Sequence, residues 1–138
     1  MDTDAHYKQS QLGTIIEVHG PVAVIKCETL PPIHQCLYAT LGDRRYLFEV
    51  HQHLNPTSVS AVALHQASGL YRGMPVYDFG RELSIPVSPD YLGRVVNFFG
   101  ETLDGGTTLS RQEWRGIHKL PPLLTDSPSR SEISITGI

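Results

Sequence analysis

From Gly13 to Val87, no window of about twelve residues combines a 3.6-residue apolar period with freedom from glycine and proline. That spacing rules out helices of ordinary length and leaves short extended segments joined by turns. The β-prone runs are Thr14 to Val18, Val22 to Cys27, Cys36 to Leu41, Tyr46 to Val50, Val59 to Leu64, Met74 to Phe79 and Leu83 to Val87. Gly20-Pro21, Gly42-Asp43, Asn55-Pro56 and Gly80 punctuate them, and Gly69 to Gly73 reads as a glycine-bounded loop. Strict alternation is clearest at Tyr46, Phe48 and Val50, with Leu47 and Glu49 on the opposite face. Six or seven such strands predict an all-β fold, a small closed six-stranded antiparallel β-barrel over residues 13–82. Closure removes the sheet edges that would otherwise recruit other chains. The expected core is Ile16, Val18, Val22, Val24, Phe48, Val50, Val62, Leu64, Val76 and Ile85.

The flanks read differently. Residues 1–12 are polar and aperiodic, as expected of a disordered tail. After the barrel comes an extended linking segment, 83–138, with one short helix. Ser88-Pro89-Asp90 is a helix start, with serine as N-cap, proline in the first turn and aspartate near the positive end of the dipole. Gly93 should stop that helix after one turn and hand over to a strand through Asn97 or Phe98. A longer helix through Phe99 is the alternative, because Leu92, Val95, Val96 and Phe99 fall at helical spacing. Residues 107–138 read as extended chain, with a strand at Glu132 to Ile135.

Charge and composition exclude several functions. The net charge is −3, and the eleven basic residues never form a run longer than Arg44-Arg45, so the basic stripe of a nucleic-acid binder is missing. No apolar run approaches the ~18 residues of a membrane-spanning helix, and Met1 to Ser10 has no signal-peptide core. Two cysteines, Cys27 and Cys36, are too few for a disulfide framework and read as reduced thiols.

The common catalytic designs are absent too. Gly100 to Gly105 has the glycine spacing of a phosphate loop, but Gly106 stands where its lysine is required. Neither G-x-G-x-x-G, C-x-x-C, H-E-x-x-H nor G-x-S-x-G occurs. Weaker constellations each have a plainer reading. His51 and His53 could share a face and hold a metal, but no third ligand is evident and zinc needs at least three. Cys27 with His19 or His34 could be a nucleophile and base, yet a cysteine on a strand is ordinarily a small apolar residue. Asp78 with Glu82, and Glu101 with Asp104, could be acid–base pairs, but they sit in loops that offer no burial to raise a carboxyl pKa. Trp114-Arg115 and Tyr71-Arg72 could stack a base, or simply pack on neighbouring chain.

Seven ordered segments carry a resemblance. They are Gly13-x-Ile15-x-x-Val18-x-Gly20-Pro21-Val22, Leu30-Pro31-Pro32-Ile33, Glu49 to Leu54, and Gly69-Leu70-x-Arg72-Gly73-Met74-x-Val76. Pro86-Val87 with Leu92-Gly93-Arg94-Val95, then Ile117-His118, then Glu132-Ile133-x-x-Thr136-Gly137-Ile138 complete the set. In register they resemble the N-terminal barrel of F-type ATP synthase β subunits and the segment leading into that family's nucleotide-binding domain. The Gly20-Pro21 turn resembles the β subunits more than the α subunits. Gly116 in place of a proline, Ala23 and Ile25 on a usually more acidic strand, His51 for glutamine, and Phe98-Phe99 mark a divergent branch.

The resemblance implies a part of a rotary enzyme of ATP synthesis and hydrogen-ion transport. That enzyme is peripheral to the inner or plasma membrane on its cytoplasmic side, in bacteria. It implies α subunits and other subunits of the complex as partners, with no nucleic acid and no direct membrane insertion. ATP or ADP and Mg2+ belong to the parent subunit, through residues expected beyond Ile138 in a nucleotide-binding α/β domain. No catalytic, cofactor-binding or metal residue is carried over to this chain, which is expected to serve assembly and not to be an enzyme by itself. The competing reading is a free-standing barrel that binds nucleic acid, for which Tyr46, Phe48, Tyr77 and Phe79 on strands would provide stacking surfaces.

Overall fold

The computed structural model describes residues 11–64, 66–97, 101–107, 113–121 and 133. Among the described residues eight strands run in chain order: β1 Gln11–His19, β2 Val22–Cys27, β3 Gln35–Leu41, β4 Arg44–Asn55, β5 Ser58–Ala63, β6 Pro75–Glu82, β7 Ser84–Val87 and β8 Glu113–Gly116. The first six close into the expected antiparallel barrel, in the order β1-β2-β5-β4-β3-β6, and β7 pairs with β8 as a separate ribbon. Closure is made by β1 against β6, where Gln11 faces Tyr77 and Gly13 faces Val76.

The turns follow from their residues. Gly20 and Gly42 have φ of 59° and 58°, each at the first central position of a two-residue hairpin. Pro21 and Asp43, at the second, have no positive φ. Glycine first and an ordinary residue second is the type II′ arrangement, whose twist suits the flanking strands. At the β4–β5 turn, Asn55 Oδ1 instead accepts from the Thr57 N–H at 2.9 Å, so the asparagine closes the turn around Pro56. Gly80, read as a strand break, is a bulge inside β6: Gln35 pairs Glu82 while Leu37 pairs Asp78. Asp78 Oδ1 holds that bulge by accepting from Gly80 N and Gln35 Nε2, both at 2.7 Å.

The interior is built from Ile15, Ile25, Leu37, Tyr46, Phe48, Val50, Val59, Met74 and Val76, with Ala23, Ala39, Ala61 and Ala63 between them. This corrects the expected core. Phe48, Val50 and Val76 are inside, but Val22, Val24 and Val62 face outward at intermediate exposure, and Ile85 is exposed. Ile16 and Leu64 are also only partly buried, while Val18 packs against the core from its edge. The reason is the alternation of each strand taken whole: the face of β2 with Val22 and Val24 also carries Lys26, and the face of β5 with Val62 also carries Ser60, so the opposite faces, Ala23-Ile25-Cys27 and Val59-Ala61-Ala63, are the buried ones. Ala63 and Ala39 then stand inside beside Phe48 and Tyr46.

After the barrel, Pro89–Tyr91 forms a single 3-10 turn capped by Ser88, whose hydroxyl accepts from Asp90 N at 3.2 Å. Gly93, at φ 74°, ends it, and a lone bridge joins Val96 to Thr102. The longer helix does not form. Strand β8 was not anticipated. Of the tail read over residues 1–12, Gln11 and Leu12 belong instead to β1, and residues 1–10 lie outside the described residues, as does the strand read at Glu132 to Ile135 except for Ile133.

Gly13 is required for a reason that the sequence conceals. A Cβ there would stand 2.1 Å from the Lys26 carbonyl oxygen on the neighbouring strand. Gly13→Ala should force β1 away from β2 and cost about 1–3 kcal/mol, the usual penalty for overpacking. A thermal melt should show this as a fall of ~4–8 °C per kcal/mol in a domain of this size; an unchanged midpoint would rule out the close approach.

Candidate functional site

The most densely functionalised surface is the outer face of β3, β4 and β6, where the trailing ribbon returns to the barrel. β6 continues into β7 through Leu83, which is buried and whose N–H donates to the His34 carbonyl at 3.2 Å. β7 then pairs with β8, setting Ile85 opposite Arg115 and Pro86 opposite Trp114. The Ile117 N–H donates to the Leu83 carbonyl at 3.1 Å, and this carries His118 back over the barrel wall.

There His118 meets two barrel residues. Glu49 lies on the outward face of β4 opposite Cys36, and its Oε1 contacts His34 Nδ1 at 3.0 Å and His118 Nε2 in a shorter contact. The two imidazoles stack with centroids 3.6 Å apart. His34 adopts a left-handed backbone, φ 69°, uncommon outside glycine although histidine is among the residues that tolerate it. Its N–H donates to the Val50 carbonyl at 2.8 Å, so backbone hydrogen bonds hold the residue on both sides. The Glu82 carboxyl lies over Gly116, its Oε1 1.8 Å from where a Cβ would stand.

Around this cluster the wall is aromatic and cationic. Tyr38 stacks on Tyr77 at 5.3 Å and meets Phe79 edge-on at 6.0 Å. The Arg81 guanidinium lies 5.1 Å from the Phe79 ring centre and 4.1 Å from that of Trp114, joining barrel to ribbon by cation–π contact. Cys36 is buried beneath. Burial pushes its thiol up to about 12, opposed by the Arg81 charge and reinforced by Glu49 and Asp78. Such a thiol stays protonated and is a poor nucleophile.

The residues singled out in the sequence mostly find structural employment. His51 sits at a register shift of β4, and His53 Nε2 is 2.7 Å from the Pro31 carbonyl, so this pair joins no three-ligand cluster among the described residues. Cys27 lies in the core with its thiol directed to the Ile25 carbonyl at 3.7 Å; His19 bonds Glu17 and His34 bonds Glu49. Glu101 bonds Asn97, whereas Asp104 bonds Arg94, so the two carboxylates do not act together. Trp114 covers Arg81, and Arg115 pairs with Glu113 at 3.1 Å. Tyr46 and Phe48 are sealed in the core at 2% and 0% exposure, which removes two of the four stacking rings that a nucleic-acid reading would need.

The set that sequence reasoning missed is His34, Glu49 and His118. They come from a loop, a strand and the far end of the ribbon. In the sequence His34 stood only as a possible base for Cys27, His118 only as part of the Ile117-His118 segment, and Glu49 only as a carboxylate on the outward face of a clear strand.

In class this is a small closed antiparallel β-barrel with a two-stranded ribbon fastened to its wall. The family model for the ATP synthase alpha/beta family, beta-barrel domain, matches residues 15–80, nearly the whole barrel. Over 128 residues the chain is 40% identical to ATP synthase subunit beta 2 of Polaromonas naphthalenivorans (strain CJ2), covering 92% of this chain and 27% of that protein. Over 127 residues it is 39% identical to ATP synthase subunit beta 1 of Pseudoalteromonas atlantica, covering 91% of this chain and 23% of that protein. The chain belongs to the ATP synthase alpha/beta family through its barrel domain, and spans about a quarter of the length of these relatives.

Beyond the barrel, Arg94 and Asp104 form a bidentate clasp at 2.5 and 2.8 Å. Asp104 also accepts from the Gly106 and Val95 amides. The Arg94 hydrogen bonds, then the Gly106 amide, hold its carboxyl well below the ordinary 3.8. A depressed folded pKa means stability that is present above 3.8 and disappears as pH falls through the lowered value. In an NMR acid titration the Asp104 carboxyl should therefore stay ionised below pH 3.8. Asp104→Asn should speed amide exchange at Val95 and Gly106; exchange unchanged by that substitution would refute the clasp.

Proposed function

We propose that this chain is the N-terminal barrel of the catalytic β subunit of a bacterial rotary ATP synthase, and that it serves subunit assembly without catalysing anything itself. The observation that carries the reading is the closed barrel of residues 11–82, on which the family match and the identity to β subunits converge. Six strands with no free edge form a body that keeps its shape while attached parts move. Such a body suits side-by-side packing with α-subunit barrels in a ring. Among the described residues no helix is long and apolar enough to cross a membrane, which accords with a role at the periphery of the complex on its cytoplasmic side.

ATP or ADP and Mg2+ fit the parent subunit and not these residues. The sequence has no phosphate loop, and Arg94 and Asp104, the strongest charged pair near a glycine-rich turn, neutralise each other. Exposed Leu92, Val95, Leu103 and Leu120 follow the barrel, as a segment that packs on a further domain would require.

Co-expression with the α and γ subunits of one of the bacterial relatives' complexes tests assembly. The chain should co-elute with α in size-exclusion chromatography, and elution as a free monomer at all concentrations would refute the role. The purified chain should show no ATP turnover and no nucleotide binding in the micromolar range by calorimetry. A salt-sensitive gel shift with single-stranded nucleic acid would favour the competing barrel reading instead.

A further inference from the structure

We propose that His34, Glu49 and His118 form a binding site for a late first-row divalent cation, zinc in the first instance, which staples the trailing ribbon to the barrel. His34 Nδ1, Glu49 Oε1 and His118 Nε2 all lie within 4.8 Å of one another. Two imidazoles and one carboxylate are a donor set found in zinc centres that keep an open fourth position. Ligand atoms about 2.0–2.1 Å from a tetrahedral ion are ~3.3 Å apart, and the His34–Glu49 separation of 3.0 Å is already near that edge length.

The supports of the three groups differ in a way that suits capture. His34 is held by backbone hydrogen bonds on both sides in a left-handed conformation, and Glu49 is fixed on a barrel strand. His118 is exposed, so its ring can rotate out of the stack to open the coordination angle. The imidazoles select zinc, nickel or copper over magnesium and calcium, which want more oxygen ligands than this site offers.

The site rests on this chain's own residues and stands or falls apart from the assembly reading. Zinc titrated into the full chain against a chromophoric chelator should bind one equivalent in the micromolar range or tighter. His118→Ala and Glu49→Gln should each weaken binding by at least about tenfold. Glu49→Gln keeps the shape and an acceptor for both imidazoles, so a loss there is not a folding defect. His51→Ala, outside the cluster, should bind as the parent does. Zinc should also slow proteolysis after Arg115 in the parent chain and not in His118→Ala. Failure to bind zinc in the micromolar range, or equal affinity in the parent and His118→Ala, would overturn the site and leave the three residues a hydrogen-bonded clasp only.

Discussion

The pairing of β1 with β6 is the contact on which everything else depends. Without it the sheet has two edges and its interior face is open to water. With it, every strand from β1 to β6 has a neighbour on both sides. The cost of closure is a narrow lumen. Alanines give the two core rings room on one side, Phe48 pairing across to Ala63 and Tyr46 to Ala39, while Phe48 meets Leu37 on the other. Gly13 belongs to the same constraint, since it lies where β1 is held between β2 and β6.

That constraint also explains what could be read in advance. Strand positions and turns were legible because glycine and proline mark where the chain must bend, and a two-residue hairpin leaves little freedom of register. The facing of β4 was legible because Glu49 and Arg45 alternate with Tyr46, Phe48 and Val50. The facing of β2 and β5 was missed because Val22, Val24 and Val62 each outweigh the alanine beside them; over the whole strand their face also carries Lys26 and Ser60, and the opposite face, with Ile25 and Val59, is the more apolar. β8 escaped notice for a related reason: four residues with two charges make no strand by themselves, and only the waiting edge of β7 turns them into one.

The site was less legible than the fold. His34 and Glu49 are 15 positions apart, and Glu49 and His118 are 69 apart. No spacing rule connects them. The local pair His51 and His53 looked the better candidate because adjacency is all that a sequence displays. What the pattern could not show is that His34 takes a positive φ beside β4, or that the Ile117–Leu83 hydrogen bond brings His118 back to the wall.

The two fastenings of the trailing segment differ in kind, and the difference bears on how a barrel could transmit or resist movement. Arg94 and Asp104 close a loop on itself, ten positions apart, and tie nothing to the barrel. Arg81 over Trp114, the Leu83–His34 and Ile117–Leu83 hydrogen bonds, and the Glu49–His118 contact instead bind ribbon to wall through residues distant in sequence. A cation–π contact of this exposed sort is worth about 0.5–1 kcal/mol, and a single neutral hydrogen bond about as much. None alone would withstand a pull on the segment beyond Ile117. Set side by side on one wall, they must be broken together, and that cooperation makes β7 and β8 an extension of the barrel wall.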